Sequence, residues 1–116
     1  MTQKKETGAK GEKMALNHLQ ENGYVLIDKN VRHKHSEIDL IVMKKNLLVF
    51  VEVKTRLSTD FGYPEEFITL EQINSIYYGA MTYCGKMDWE GMIRFDIIAV
   101  ELENGKPIIT HFQDAF

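Results

Sequence analysis

Two acidic residues and a lysine interrupt stretches that are otherwise strongly apolar. Asp39 sits within Glu37-Ile38-Asp39-Leu40-Ile41, and Glu52 and Lys54 alternate with valines in Val49-Phe50-Val51-Glu52-Val53-Lys54-Thr55-Arg56. In an extended chain side chains alternate between faces, so Leu48, Phe50, Glu52, Lys54 and Arg56 share one face and Val49, Val51, Val53 and Thr55 the other. That first face turns from apolar to charged along its length. Lys44, Lys45 and Asn46 separate the two segments and read as a hairpin connection. With Lys45-Asn46 as a two-residue loop, opposing residue numbers sum to 91, which sets Asp39 against Glu52 and Glu37 against Lys54. A three-residue loop would set Asp39 against Val51 and separate the acids.

Two carboxylates facing each other ~5 Å apart repel unless a cation lies between them. Mg²⁺ meets that need, because it binds through one or two carboxylates together with waters and substrate phosphates, and Mn²⁺ is a second candidate. The matching chemistry is phosphodiester hydrolysis, in which the ion acidifies water and neutralises charge on the phosphate. Lys54, two residues beyond Glu52 on the same face, is suited to orient the attacking water or to stabilise that charge. Arg56, one step further, is placed to clamp a phosphate. The same residues also fit a solvated strand face carrying a cross-strand ion pair. Their placement inside apolar strands favours the site reading.

The elements that must hold these residues follow from periodicity and turn chemistry. Ala15, Leu16, Leu19 and Gly23 fall at helical spacing, giving a first helix over residues 9–22 that stops at Gly23. Glu12 lies on its apolar stripe and aims a carboxylate at the core. Residues 24–27 read as a strand, 28–36 as a polar connection, and 37–43 with 47–56 as the hairpin. Thr69 with Gln72 three residues later forms a capping-box pattern, so a second helix starts there. Its stripe of Ile73, Ile76, Tyr77, Ala80 and Cys84 packs on the sheet, and Gly85 ends it. Residues 92–102 form a long strand that turns at Asn104-Gly105 into a last strand over 108–112. The order is αβββαββ, and a strand, a helix and a strand in succession imply a parallel crossover within a mixed sheet.

A length of 116 residues, with 44% hydrophobic and 27% charged, fits one soluble globular domain over residues 1–116. No apolar run approaches the ~20 residues of a membrane span, so the expectation is a cytoplasmic protein with no membrane partner. The single cysteine, Cys84, reads as a core residue. Net charge is −3, which argues against non-specific coating of nucleic acid. The sum hides an asymmetry: residues 1–58 carry 11 Lys and Arg against 7 Asp and Glu, and residues 59–116 carry 3 against 10. A basic half is suited to face a polyanion.

These blocks, together with Gly11-Glu12, Ala15, Gly23-Tyr24, Asn30, Arg32, Phe61-Gly62, Pro64 and Arg94-Phe95-Asp96, resemble the YraN family of endonuclease-like proteins over nearly the whole chain. The resemblance implies an α/β restriction-endonuclease-like fold of the PD-(D/E)xK type, related to archaeal Holliday-junction resolvases. Its αβββαβ core is a mixed central sheet flanked by helices, here with a further C-terminal hairpin strand. It also implies that Asp39 and Glu52 are metal ligands, Lys54 is the catalytic lysine and Glu12 is an accessory catalytic acid. Glu37 is a further acid beside them, and Arg56, Arg32 and Lys34 are the expected nucleic-acid contacts. The partner expected is nucleic acid, DNA ahead of RNA and branched or flapped DNA among the substrates. A homodimer is left open.

One departure stands out: Leu70-Glu71-Gln72-Ile73-Asn74 occupies a helix start that is usually basic in the family. Two functions of different class therefore stand: a Mg²⁺-dependent nuclease, and a nucleic-acid-binding or scaffold domain that keeps the fold without cleaving. Among the remaining residues, His33 and His35 read as a solvated turn and Tyr77, Tyr78 and Tyr83 as core or rim. Phe61 and Tyr63 read as a plain turn after the site strand.

Overall fold

The computed structural model describes residues 2–57, 68–102 and 106–116. The elements follow in the expected order: α1 (Thr2–Glu21), β1 (Val25–His33), β2 (Ser36–Lys44), β3 (Leu47–Arg56), α2 (Leu70–Lys86), β4 (Met92–Glu101) and β5 (Ile108–Phe112). They build one sheet of order β1-β2-β3-β4-β5. β3 and β4 pair in parallel, and every other neighbouring pair is antiparallel. The mixed α/β architecture is the one the sequence implies. The loop with Phe61, Gly62, Tyr63 and Pro64 and the Asn104-Gly105 turn lie outside the described residues.

The sheet is apolar on both faces because each is covered. On one, Leu40, Val42, Val49, Val51, Ile98 and Val100 pack with Ala15 and Leu19 of α1. On the other, Ile38, Ile41, Leu48 and Phe50 pack with Ile76 and Ala80 of α2. Strict alternation along β3 thus sends Val49 and Val51 to α1 and Leu48 and Phe50 to α2. α1 comes close to β3 at Gly11, where a methyl group would collide with the Thr55 side chain. It ends as expected: Gly23 takes a φ of +89°, a left-handed value that glycine adopts without penalty, and the Tyr24 N–H reaches back to the Leu19 carbonyl. α2 opens with both halves of the capping box between Thr69 and Gln72, and it runs one residue past Gly85.

Two expectations need correction. Residues 28–36 are not a polar connection: β1 continues to His33, and a Lys34-His35 turn leads into β2 at Ser36. β1 is an edge strand whose side chains are mostly exposed, so its pairing rests on backbone hydrogen bonds and leaves no apolar alternation to read. α1 begins at Thr2 rather than near residue 9, because its first turns lie ahead of the apolar stripe and helix propensity alone marks them weakly.

Candidate functional site

Asp39 is positioned by a break in strand regularity. In a regular strand Ile38 and Leu40, two residues apart, would share a face. Here Ile38 packs beneath α2 and Leu40 beneath α1, so β2 turns over at Asp39. Across from it on β1, between the pairs Lys29–Leu40 and Val31–Ile38, Asn30 adopts a φ of +50°. The β2–β3 ladder runs from Lys44–Leu47 to Leu40–Val51 and stops there. The strands then diverge, and the Asp39 carboxylate reaches across to accept the Val53 N–H at 2.8 Å.

Glu52 enters the same opening from β3, and its carboxyl group is hydrogen-bonded to that of Asp39. Burial, the Glu52 hydrogen bond and the Glu52 charge push the Asp39 carboxyl up to about 8, against a partial offset from the Val53 N–H. In the absence of a cation one proton is therefore held between the two acids at neutral pH. The Glu52 side chain is only 12% exposed, and the Lys54 ammonium stands 3.8 Å from it.

The acids line a cavity of about 250 Å³ together with His35, Glu37, Gln72, Ser75 and Ile76. The first turns of α2 thus form one wall, and the β1–β2 turn another. The two walls are tied together: Ser36 Oγ donates to the Ser75 carbonyl at 2.6 Å, and Ser75 Oγ lies 3.1 Å from Ser36 Oγ. Among the described residues no three His, Cys, Asp or Glu side chains converge as a ligand set. Protein donors for a cation are thus the Asp39–Glu52 pair, which suits an oxygen-seeking ion that completes its shell with water and phosphate.

The other expected residues fall around this pair. Glu12 lines a neighbouring cavity with Ala9, Lys13, Leu16, Asn17, Lys29, Asn30 and Leu40, not the cavity of the two acids. It feels them nevertheless: burial first, then the charges of Asp39 and Glu37, raise its carboxyl above the ordinary value, while a hydrogen bond from Asn30 opposes the rise. Glu37 lines the acid cavity but pairs with Arg32 at 3.1 Å, not with Lys54, because the β2–β3 ladder has ended before reaching it. Arg56 lies at the end of β3 in register with Glu101. Lys34 sits on the β1–β2 turn against Tyr78, 3.4 Å from its hydroxyl.

Sequence reasoning missed three lining residues. His35 read as part of a solvated turn, Gln72 only as helix start, and Ser75 was not singled out. Nothing local marks them, because they meet the acids only when α2 folds over the β1–β2 turn. Also unanticipated is a buried polar cluster beneath α1. Asp96, with no exposed surface, accepts two hydrogen bonds from Arg94 at 2.8 and 2.7 Å and one from the Asp114 N–H, and lies 2.7 Å from His111 Nε2. Burial pushes the Asp96 carboxyl up, but His111, Arg94 and the Asp114 N–H outweigh it and hold the carboxyl below its usual range. Arg94 also donates to the Tyr24 hydroxyl at 2.7 Å, and His18 lies 3.3 Å from His111. The cluster links α1 to β4, β5 and the residues after it.

The model of an uncharacterised protein family, UPF0102, matches residues 11–100. A UPF0102 protein of Flavobacterium psychrophilum is 40% identical over 116 residues, covering 100% of this chain and 98% of its own. Its counterpart in Bacteroides thetaiotaomicron is 40% identical over 100% of this chain and 96% of its own. One from Caldanaerobacter subterraneus is 40% identical over 97% and 96%.

Proposed function

Since the chain belongs to UPF0102, the family also called YraN, we propose that it is a metal-dependent nuclease hydrolysing phosphodiester bonds in DNA at the Asp39–Glu52 pair. The observation that carries this reading is the pair itself. Two carboxylates are pressed together in the opening between β2 and β3, with one of them forced to keep its proton to about pH 8. Such an arrangement destabilises a metal-free fold and is relieved by a divalent cation. Asp39 and Glu52 would hold Mg²⁺, with Mn²⁺ as substitute. When bound, the ion lowers the pKa of water and neutralises charge on the phosphate.

The protein's own groups supply the rest. The Val53 N–H fixes the orientation of the Asp39 carboxylate. Lys54, beside Glu52, carries a positive charge to where negative charge builds on the phosphoryl oxygens, and its N–H donors are suited to orient water. Glu12 lines the neighbouring cavity on α1 and feels the charges of Asp39 and Glu37 from there. His35, Gln72 and Ser75 line the cavity with polar atoms and leave room for a phosphate.

One observation favours a non-catalytic scaffold instead: Glu71 brings negative charge to the start of α2, close to the cavity where a polyanion would approach. A cleavage screen separates the two. Duplex, single-stranded, flap and four-way-junction DNA are incubated with the protein in Mg²⁺ or Mn²⁺, and binding is titrated separately in Ca²⁺. The nuclease reading expects cleavage of at least one substrate, abolished by Asp39→Asn and Glu52→Gln. Binding in Ca²⁺ without cleavage of any substrate establishes the scaffold.

A further inference from the structure

Three tyrosines lie on α2, and packing accounts for two of them. Tyr77 packs edge-on to Phe95 with ring centroids 4.7 Å apart and stacks on Phe116. Tyr83 meets Phe50 edge-on and hydrogen-bonds Asp28. Tyr78 belongs to neither core layer and is 49% exposed. Its ring leans on the β1–β2 turn: the His33 ring centroid is 5.5 Å away at 44°, and the Lys34 ammonium lies 5.7 Å from the tyrosine centroid. An exposed aromatic flanked by an imidazole and a cation is the chemistry that stacks a nucleobase and holds its phosphate.

Its location gives that chemistry a use. Ser75, one helical turn before Tyr78 and on the same side of α2, lines the acid cavity. His35, the residue after Lys34, lines it from the other wall. The aromatic platform and the acids thus stand side by side, joined through the same turn and the same helix. The acids repel a polyanion, whereas Lys34 on the adjoining turn attracts one.

We propose that Tyr78, His33 and Lys34 form a nucleobase-stacking subsite beside the acid cavity, so that the protein selects single-stranded DNA over duplex. The proposal rests on the nuclease reading for its biological use, but not for its test. A ring can stack only on a base whose face is free, and bases within a duplex are already stacked on both sides. Lys34 holds the phosphate of the stacked nucleotide while the neighbouring phosphate faces Asp39 and Glu52.

The test is fluorescence anisotropy of the full chain in Ca²⁺ with labelled oligo-dT, a duplex of equal length, and an oligonucleotide of the same length with an abasic tract. Wild type is expected to bind oligo-dT more tightly than either of the others. Tyr78→Ala should weaken oligo-dT binding by roughly 5- to 150-fold, the range seen per stacked base, and leave duplex binding within about twofold. Tyr78→Phe, which keeps the ring, should retain it. Lys34→Ala should lower the salt dependence of oligo-dT binding by about one phosphate contact, a slope change of ~0.7. Circular dichroism confirms that each variant is folded. Equal binding of oligo-dT and the abasic strand, full oligo-dT affinity in Tyr78→Ala, or no binding to oligo-dT at all overturns the subsite. Glu52→Gln separates the two readings. If wild type cleaves nothing but Tyr78-dependent binding persists in wild type and Glu52→Gln alike, the nuclease reading falls and the subsite stands. If cleavage occurs and Tyr78→Ala changes nothing, the subsite alone falls.

Discussion

Two acids in this protein, the half-buried Asp39 and the buried Asp96, respond to pH in opposite senses, and both responses follow from their contacts. The Asp39 carboxyl is raised to about 8, well above the ~3.9 of an unfolded chain. The folded state therefore holds a proton that the unfolded state releases. The stability this confers is fully present below about pH 4 and is lost as pH rises through about 8. Asp39→Asn is neutral throughout and still offers an oxygen to the Val53 N–H. In EDTA, the melting temperature of the variant relative to wild type should therefore climb between about pH 4 and pH 8 and then level off. A variant that melts well below wild type at pH 8 would mark Asp39 as a structural ion-pair partner instead. Asp96 is held below its usual range, so the stability it confers is present above about pH 4 and lost as pH falls through its lower folded value. Asp96→Ala leaves Arg94 and His111 facing each other without their shared acceptor, and should cost about 3 kcal/mol or more at pH 7, read by urea denaturation.

At the scale of elements, the site depends on how α1 and α2 close over the ends of β2 and β3. Gly11→Ala illustrates it. The exchange improves helix propensity by about 1 kcal/mol, yet the new methyl group collides with Thr55, and overpacking of this kind costs about 1–3 kcal/mol. A net loss of stability is expected by thermal denaturation, recovered largely by adding Thr55→Ala. The hairpin register was legible from Lys45-Asn46, because a two-residue turn sets the pairs that follow it, and they obey that register as far as Leu40–Val51, where the ladder ends short of the expected Glu37–Lys54 pair. The α2 start was legible from Thr69 and Gln72 for a similarly local reason. The opening at Asp39 was not, since it arises where β2 turns over, an irregularity that the alternation of apolar residues masks. His35 and Ser75 were also hidden: their roles come from helix–turn packing between residues 40 positions apart in the chain. β1 beyond Ile27 escaped notice because an edge strand carries polar side chains.

For the whole molecule, charge asymmetry and fold act together. The basic first half of the sequence supplies α1 and β1 to β3, and the acidic second half supplies α2, β4 and β5. Any polyanion should therefore approach from the side of the β1–β2 turn, where Arg32 and Lys34 lie. Among the described residues, no helix is long and apolar enough to cross a membrane. Lys54→Ala and Arg56→Ala should separate catalysis from binding. With the cleavable substrate in Mg²⁺, Lys54→Ala should lower kcat by about 100-fold or more while affinity in Ca²⁺ changes little. Arg56→Ala should weaken DNA binding in Ca²⁺ and flatten its salt dependence, with less effect on kcat.

The central claim is that Asp39 and Glu52 form one divalent-cation site, and isothermal titration calorimetry with Mg²⁺ and Mn²⁺ at pH 7 tests it most directly. Because Asp39 keeps its proton to about pH 8 in the metal-free state, binding must displace it. Titrations in buffers of different ionisation enthalpy should show a single site releasing about one proton per ion in wild type. Asp39→Asn should bind far more weakly and release almost none, and Glu52→Gln should also lose affinity. Absence of saturable binding in wild type, or equal affinity and proton release in Asp39→Asn, would contradict the account.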